Sequence, residues 1–214
     1  MSARLLACAV AAAALSGGTA AATAADTRTP PPSPTSQPGG RLAGWLLVAA
    51  PGMPDPRFAG TVVFMLRHSE DGAMGLIVNR PIAVEPASKV LERILGETEP
   101  DEPGRDVRIQ YGGPVEPTRG FFMHSGDYSG DRTVAVTDRV SLTSSPDVLR
   151  ALARGKGPAK GFLAMGYAGW GPGQLEREIR RNDWVSVYPD DGIVFDEDVE
   201  SKWRRAMDRR GADL

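Results

Sequence analysis

The chain has 214 residues, of which 41% are hydrophobic and 24% are charged, and its formal net charge at pH 7 is −2. This is the composition of a globular protein, and the near-neutral charge argues against a nucleic-acid-binding surface, which needs clustered lysine and arginine. The single cysteine, Cys8, lies in the N-terminal segment. Residues 41–214 therefore offer no thiol for a disulfide, a nucleophile or a metal ligand.

The first 40 residues differ in composition from the rest of the chain. Residues 1–25 combine one arginine, an apolar run from Leu5 to Leu15 and small residues, which is the pattern of a secretory signal peptide. The run is too short to span a bilayer. Residues 26–40 contain five prolines, which predicts a solvated linker. We therefore expect an exported, periplasmic protein with one domain at 41–214; the alternative is a misassigned start and a cytoplasmic location.

The first half of the domain shows strand patterns followed by one helix. Trp45–Ala50 is a continuous apolar run, typical of a strand buried on both faces. The loop PGMPDPRF contains three prolines, so it forms neither helix nor ladder, and we expect Asp55 to hold an Asx-type turn there. Thr61–His68 and Ala73–Asn79 flank the turn SEDG and predict an antiparallel hairpin. Ala87–Leu95 is predicted to be an amphipathic helix that ends at a glycine.

The second half alternates between strands and short helices. A hairpin is expected from TVAVT to VSLT, and a helix follows Ser145. A C-terminal helix is expected to carry Val199, Trp203 and Met207 on its apolar face. The remaining predicted strands are Val107–Tyr111, Phe121–His124, Lys160–Gly166, Trp184–Tyr188 and, as a short addition, Ile193–Phe195. Together these patterns predict an α+β domain with a mixed, mostly antiparallel sheet, hairpins and flanking helices.

Three segments resemble one family. They are GWLLVAAPGMPDPRFAGTVVFMLRHSEDGAMGLIVNRP, YGGPVEPTRGFFMHS and GYAGWGPGQLEREIRRNDW. In this order they resemble the YqgE/AlgH family over about residues 42–213. The resemblance implies a compact α/β fold with a strongly bent, partly closed sheet. It implies no chemistry, and one branch of the family is labelled as regulating exopolysaccharide production.

The glycine-rich stretch Gly166–Ile179 raises the question of a phosphate site. A dinucleotide fingerprint needs a third glycine where Glu176 stands, and a P-loop needs a lysine where Gln174 stands. We therefore interpret the stretch as a tight turn from a strand into a helix. In that interpretation Pro172 begins the helix and Glu176 pairs with Arg180.

The remaining candidates are polar groups at strand ends. His68 and His124 are the only histidines of the chain, and their echoed motifs HSED and HSGD offer a metal site or a histidine base beside a serine. Asn79 and Arg119 add an amide and a guanidinium as candidate ligand-holding groups; the alternative for Arg119 is a pairing with Glu116. Neither a catalytic, a cofactor nor a metal signature is complete, so no cofactor is predicted.

Trp170 is the remaining contact candidate, because it lies between glycines. It is expected either to cover the core or to form an exposed contact surface. The leading hypothesis is a non-enzymatic interaction or regulatory protein with an unknown protein partner. The alternative is a small-ligand-binding protein or hydrolase with a pocket at His68, Asn79, Arg119 and His124.

Overall fold

The computed structural model describes residues 41–97, 104–189 and 191–210, and the predicted signal peptide and linker lie outside the described residues. The strands are β1 Leu46–Ala49, β2 Val62–Ser69, β3 Gly72–Ile77, β4 Pro81–Pro86, β5 Asp106–Tyr111, β6 Val115–Ser125, β7 Thr133–Ala135, β8 Val140–Thr143, β9 Gly161–Trp170 and β10 Trp184–Val187. The helices are α1 Ala87–Leu95, α2 Asp147–Ala153, α3 Gln174–Arg180, α4 Asp191–Val194 and α5 Val199–Asp208. No helix among the described residues is long and apolar enough to cross a membrane.

The strands form one bent sheet built around β9. The main order is β10-β1-β2-β3-β9-β6-β8-β7, and β5, with β4 outside it, also pairs with β9. One side of β9 is shared by two strands: β5 lies along its first half and β3 along its last three residues. The β5–β9 pairing is parallel and the other pairings are antiparallel. The predicted α+β class with a mixed, mostly antiparallel sheet is confirmed.

The sheet is covered on both faces by three apolar clusters. α4 and α5 cover one face, where Phe64, Leu76 and Phe162 are buried against them. α1 and α2 cover β5. The third cluster lies on the other face of β1 and β2, with Leu47 and Val63 packed near Trp170. All four residues of β1 are fully buried, which confirms the two-sided burial expected from its continuous apolar run.

The structure differs from the sequence prediction at several elements. β4 was not predicted; prolines begin and end it, which a strand paired on one side tolerates. β9 continues to Trp170 through the stretch expected to be a turn. The predicted strand Ile193–Phe195 is wrong, because residues 191–194 form α4. α3 begins at Gln174 rather than Pro172, since Gly173 precedes it in the left-handed region with φ 67°.

Candidate functional site

The four residues of the pocket expected from the sequence do not surround one cavity. His68 pairs through Ala73 with Trp170, at the C-terminal end of β9, whereas His124 pairs with Gly161 at the other end. The two positions are nine residues apart along β9, a distance on the order of 30 Å. The hypothesis of a shared strand-end pocket is therefore wrong. Both histidines lie near the ends of strands, but those strand ends lie beside opposite ends of β9.

His124 is a buried structural group. Its Nδ1–H donates to the Ser125 carbonyl at 2.8 Å, and its Nε2 accepts from the Thr143 hydroxyl at 2.8 Å. Burial lowers the pKa of His124, which favours the neutral ring that this arrangement requires. The Thr143 oxygen also contacts the Thr133 hydroxyl at 2.6 Å, so the ring joins β6, β7 and β8.

His68 links β2 to α3. Its Nε2–H donates to Glu176 Oε1 at 2.8 Å, and this hydrogen bond lowers the pKa of the Glu176 carboxyl. The His68 ring is 7% exposed, and its Nδ1 has no partner among the described residues. The hydrogen-bond partner of Glu176 is thus a strand residue 108 positions away in sequence, while the predicted partner Arg180 acts on the carboxyl only through its charge.

Asn79 and Arg119 also have structural partners. Asn79 accepts from the Val62 amide at 2.8 Å and donates to the Gly60 carbonyl at 2.9 Å, which holds the segment before β2. Arg119 donates to Glu116 at 2.9 Å, as expected, and lies 4.9 Å above the ring of Phe121. Among the described residues no three His, Cys, Asp or Glu side chains cluster closely enough to hold a metal ion.

A separate cavity of about 310 Å³ lies at the C-terminal end of β9, and we call it the tryptophan cavity. It is enclosed by the loop before β2, the start of β6, the end of β9, α3 and the start of β10. The residues that line it are Met53, Pro54, Asp55, Arg57, Phe58, Pro114, Val115, Gly169, Trp170, Gln174, Glu178, Arg181, Asp183 and Trp184. Its volume is at the lower end of the range for ligand pockets.

Three aromatic rings form the wall of the tryptophan cavity. Phe58 stacks on Trp170 with ring centroids 6.4 Å apart, and Trp184 meets both rings edge to face at 5.5 and 5.8 Å. Such offset and edge contacts are the preferred geometries for aromatic pairs. Trp170 is 6% exposed and Trp184 4% exposed. Of the two roles expected for Trp170, the structure thus favours covering the core over forming an exposed contact surface. The ring also lines the cavity.

Glu178 organises the polar side of the cavity. Its Oε2 accepts hydrogen bonds from the indole N–H groups of both Trp170 and Trp184, each at 2.8 Å. Its Oε1 accepts from Gln174 Nε2 at 2.9 Å, and Gln174 Oε1 in turn accepts from the Gly171 amide at 3.1 Å. The carboxylate therefore fixes both indoles and the turn between β9 and α3 at once.

Two arginines stand at the rim. Arg57 binds Asp55 through Nε and Nη2, and this hydrogen bonding lowers the pKa of the Asp55 carboxyl. Asp55 Oδ1 also accepts from the Arg57 amide at 3.0 Å, which confirms the predicted Asx-type turn. Arg181 binds Asp183 Oδ2 at 2.6 Å. The two arginine side chains are 62% and 60% exposed, so both reach solvent beside the cavity.

The close approach of the second segment to β9 depends on a glycine. Gly113 has φ 152°, and a Cβ atom there would lie 2.1 Å from the carbonyl carbon of Tyr167. Only glycine permits this contact, which brings Pro114 and Val115 to the cavity. Each of the three segments that carry the family resemblance therefore contributes to one wall of the tryptophan cavity.

Sequence reasoning singled out two of the residues that line the cavity, Trp170 as a contact candidate and Asp55 as a turn residue. Glu178 was not singled out. The three segments that carry the family resemblance could have indicated the site. They would have done so if they had been considered together as parts of one surface, and not singly as catalytic motifs.

Comparisons with known proteins agree with the fold. A family model described as AlgH-like matches residues 46–214. A UPF0301 protein of Cereibacter sphaeroides is 44% identical over 173 residues, which cover 80% of this chain and 93% of that protein. A UPF0301 protein of Caulobacter vibrioides is 48% identical over 172 residues, covering 79% and 87%. The solution structure of the AlgH protein from Pseudomonas aeruginosa matches with a TM-score of 0.68 and 39% identity, covering 79% and 89%.

Proposed function

The chain belongs to the AlgH-like family, and we propose that it is a non-catalytic protein-binding protein whose recognition site is the tryptophan cavity. The observation that carries this proposal is the meeting of the three family-like segments around one cavity. The residues that line the cavity span more than 100 positions of the sequence, from Met53 to Trp184. Residues brought together in this way from separate elements are typical of a recognition site.

The hydrogen bonding in the cavity favours binding over catalysis. A general acid or base needs a carboxylate or imidazole that is free to exchange a proton with a substrate. Here Glu178 already accepts three hydrogen bonds, and Asp55 and Asp183 are each bonded to an arginine. Both histidines lie outside the cavity lining. The arrangement supports a rigid, pre-formed site.

The shape and the rim favour a protein as the partner. A cavity of about 310 Å³ has room for one projecting side chain or a small molecule. The exposed Arg57 and Arg181 extend the polar surface outward around the opening. Arginine and tryptophan are the residue types that most often dominate binding energy in protein interfaces. A partner side chain inserted among the rings, with its backbone near the arginines, uses both features.

Filling the cavity is expected to abolish partner binding. Val115→Trp places a large ring at the cavity wall, and Val134→Trp makes the same change at an exposed site on β7, where the native side chain is 64% exposed. Proteins captured by each variant from cytoplasmic and periplasmic fractions of the source cells would be quantified by mass spectrometry. We expect one or more proteins captured by the wild type and V134W to be lost with V115W. Equal capture by all three, or none by the wild type, would refute the proposal.

The fraction that supplies the partner also tests export. Residues 1–25 carry the pattern of a signal peptide, which supports a periplasmic partner.

Arg57→Ala provides a second variant for the same capture, because it removes an exposed rim group and leaves the three rings in place. Circular dichroism would show whether V115W is unfolded. If it is, the test rests on R57A, which should also lose the captured partner.

A further inference from the structure

A second, larger concavity lies on the far side of the sheet from α1 and α2, and we call it the β4 groove. Its volume is about 1090 Å³. Its floor is formed by residues of β4 and β5, and its walls by residues 159–161 and by the segment between α4 and α5. Val107 and Ile109 of β5 are buried against α1 and α2, and the alternate residues Arg108 and Gln110 line the groove.

The β4 groove exposes apolar surface. Ile82 and Val84 line it and are 58% and 64% exposed, which places them among the most exposed large apolar residues of the described chain. They belong to β4, which pairs with β5 on one side and with no other strand among the described residues. Strands that pair on one side only normally carry charged side chains that discourage pairing with another chain. Two adjacent exposed apolar side chains beside a groove indicate a contact surface.

A buried polar atom in the same groove needs a hydrogen-bond donor. Gln110 is 1% exposed, and its Oε1 has no hydrogen-bond partner among the described residues. Buried side-chain oxygens are nearly always paired, because leaving one unpaired costs free energy. Gln110 thus supplies an acceptor that is independent of the apolar contact surface and that a bound N–H group would satisfy.

The groove is held open by Arg108. Its guanidinium donates to the carbonyls of Phe195 at 2.9 Å, Asp196 at 3.2 Å and Gly161 at 3.4 Å. These bonds connect the floor to both walls. Because Arg108 is already engaged with backbone oxygens, it fixes the width of the groove and is not a free cation for an anionic ligand.

We propose that the β4 groove binds an extended peptide segment of a partner protein. Its apolar side chains would pack on Ile82 and Val84, and a backbone N–H would donate to Gln110 Oε1 once the amide side chain rotates from its buried position into the groove. An extended segment fits this acceptor because its amides point outward, whereas helix amides are bonded within the helix.

The charges at the groove also fit a peptide. The basic Arg105 and Lys160 are matched by the acidic Asp106 and Glu197. This balance opposes binding of a polyanion and accommodates a peptide of mixed charge. The inference goes beyond the proposed function, because it concerns a different surface from the tryptophan cavity.

The test uses the full chain and a phage-displayed library of random dodecapeptides as the probe. Selected peptides would be synthesised and their dissociation constants measured by calorimetry. Val84→Asp puts a charge on the apolar surface and is expected to weaken binding at least tenfold. Val134→Asp is the matched control, because Val134 is also 64% exposed but lies on β7, outside the groove, and it should leave the affinity unchanged.

Gln110→Leu separates the hydrogen bond from the apolar contact. It removes the unpaired acceptor, so the fold should be retained, and binding should weaken about five- to tenfold, the value of one hydrogen bond. Failure to select any peptide would overturn the proposal, and so would selected peptides that bind V84D as tightly as wild type. A wild-type dimer in light scattering that V84D dissociates would also overturn it, in favour of a second copy as the occupant. R57A should not alter peptide affinity, so the outcome is independent of the tryptophan cavity.

Discussion

Replacing Glu178 with alanine is expected to lower the free energy of unfolding by about 2–6 kcal/mol, because two buried indole N–H groups lose their acceptor at about 1–3 kcal/mol each. Both indoles donate to the same oxygen, so a single truncation removes both bonds. Glu178→Gln keeps a carbonyl oxygen there and should cost less, about 1–2 kcal/mol, through loss of the charge-assisted character of the bonds. Urea denaturation of the three proteins measures the difference.

A matched control is available on α1. Glu92 is an exposed helical glutamate, and Glu92→Ala should change stability by less than about 0.5 kcal/mol. In NMR spectra, the indole N–H signals of Trp170 and Trp184 should shift in E178A and stay in place in E92A. If E178A is as stable as E92A, then Glu178 does not organise the tryptophan cavity, and the rigid-site account of its function loses its basis.

Lys202 is expected to make stability rise with pH above neutrality. Its side chain is fully buried, and its ammonium donates to the carbonyls of Val78 at 2.9 Å and Val194 at 3.1 Å. Burial, with repulsion from Arg108 second, lowers the pKa of Lys202 to about 7, although Asp196 acts in the opposite direction.

The sign of the effect follows from the two pKa values. Between about pH 7 and 10.5 the unfolded chain holds a proton on this lysine that the folded chain has released, so stability increases with pH. Below pH 7 the lysine is protonated in both states and contributes no slope. Lys202→Met removes the titrating group, and wild type should therefore gain about 1 kcal/mol per pH unit relative to K202M between pH 7.5 and 9.5.

Lys89 provides the control for this measurement. It is exposed on α1, so Lys89→Met should give a pH profile parallel to that of wild type. At pH 7 itself we expect a small difference between wild type and K202M, since the loss of two hydrogen bonds is offset by removal of the desolvation cost of the buried amine. Parallel profiles for all three proteins would show that Lys202 is not buried as the structure has it.

The sequence predicted the elements whose periodicity is set by burial. β1 was found because a continuous apolar run needs two covered faces, β2 because a β-rich run meets the turn SEDG, and α1 because its apolar stripe ends at Gly96. β4 was not predicted because it begins and ends with proline, a residue that argues against a strand unless the strand is paired on one side only. Residues 193–195 were taken for a strand because a short apolar run has the same pattern in either state.

The sites depended on contacts that periodicity does not encode. Trp203 and Met207 of α5 pack against the core as their apolar pattern predicted, but the fully buried residues of this helix are Lys202 and Ala206. A lysine is normally exposed, so no sequence rule places it inward. Glu178 and Trp184 were equally hidden, because the role of each depends on a neighbour supplied by the fold. The two histidines were wrongly grouped because each lies near the end of a strand. In the structure those two strand ends lie beside opposite ends of β9.

The most direct test of the tryptophan cavity is photo-crosslinking in living cells. A benzoyl-phenylalanine would replace Arg57 at the rim, or Val134 on β7 as the control, in the full-length chain. We expect a discrete covalent adduct between the chain and one partner protein from position 57 and none from position 134. The absence of an adduct at position 57, or the same adducts from both positions, would contradict the account that this protein acts by binding a partner at the tryptophan cavity.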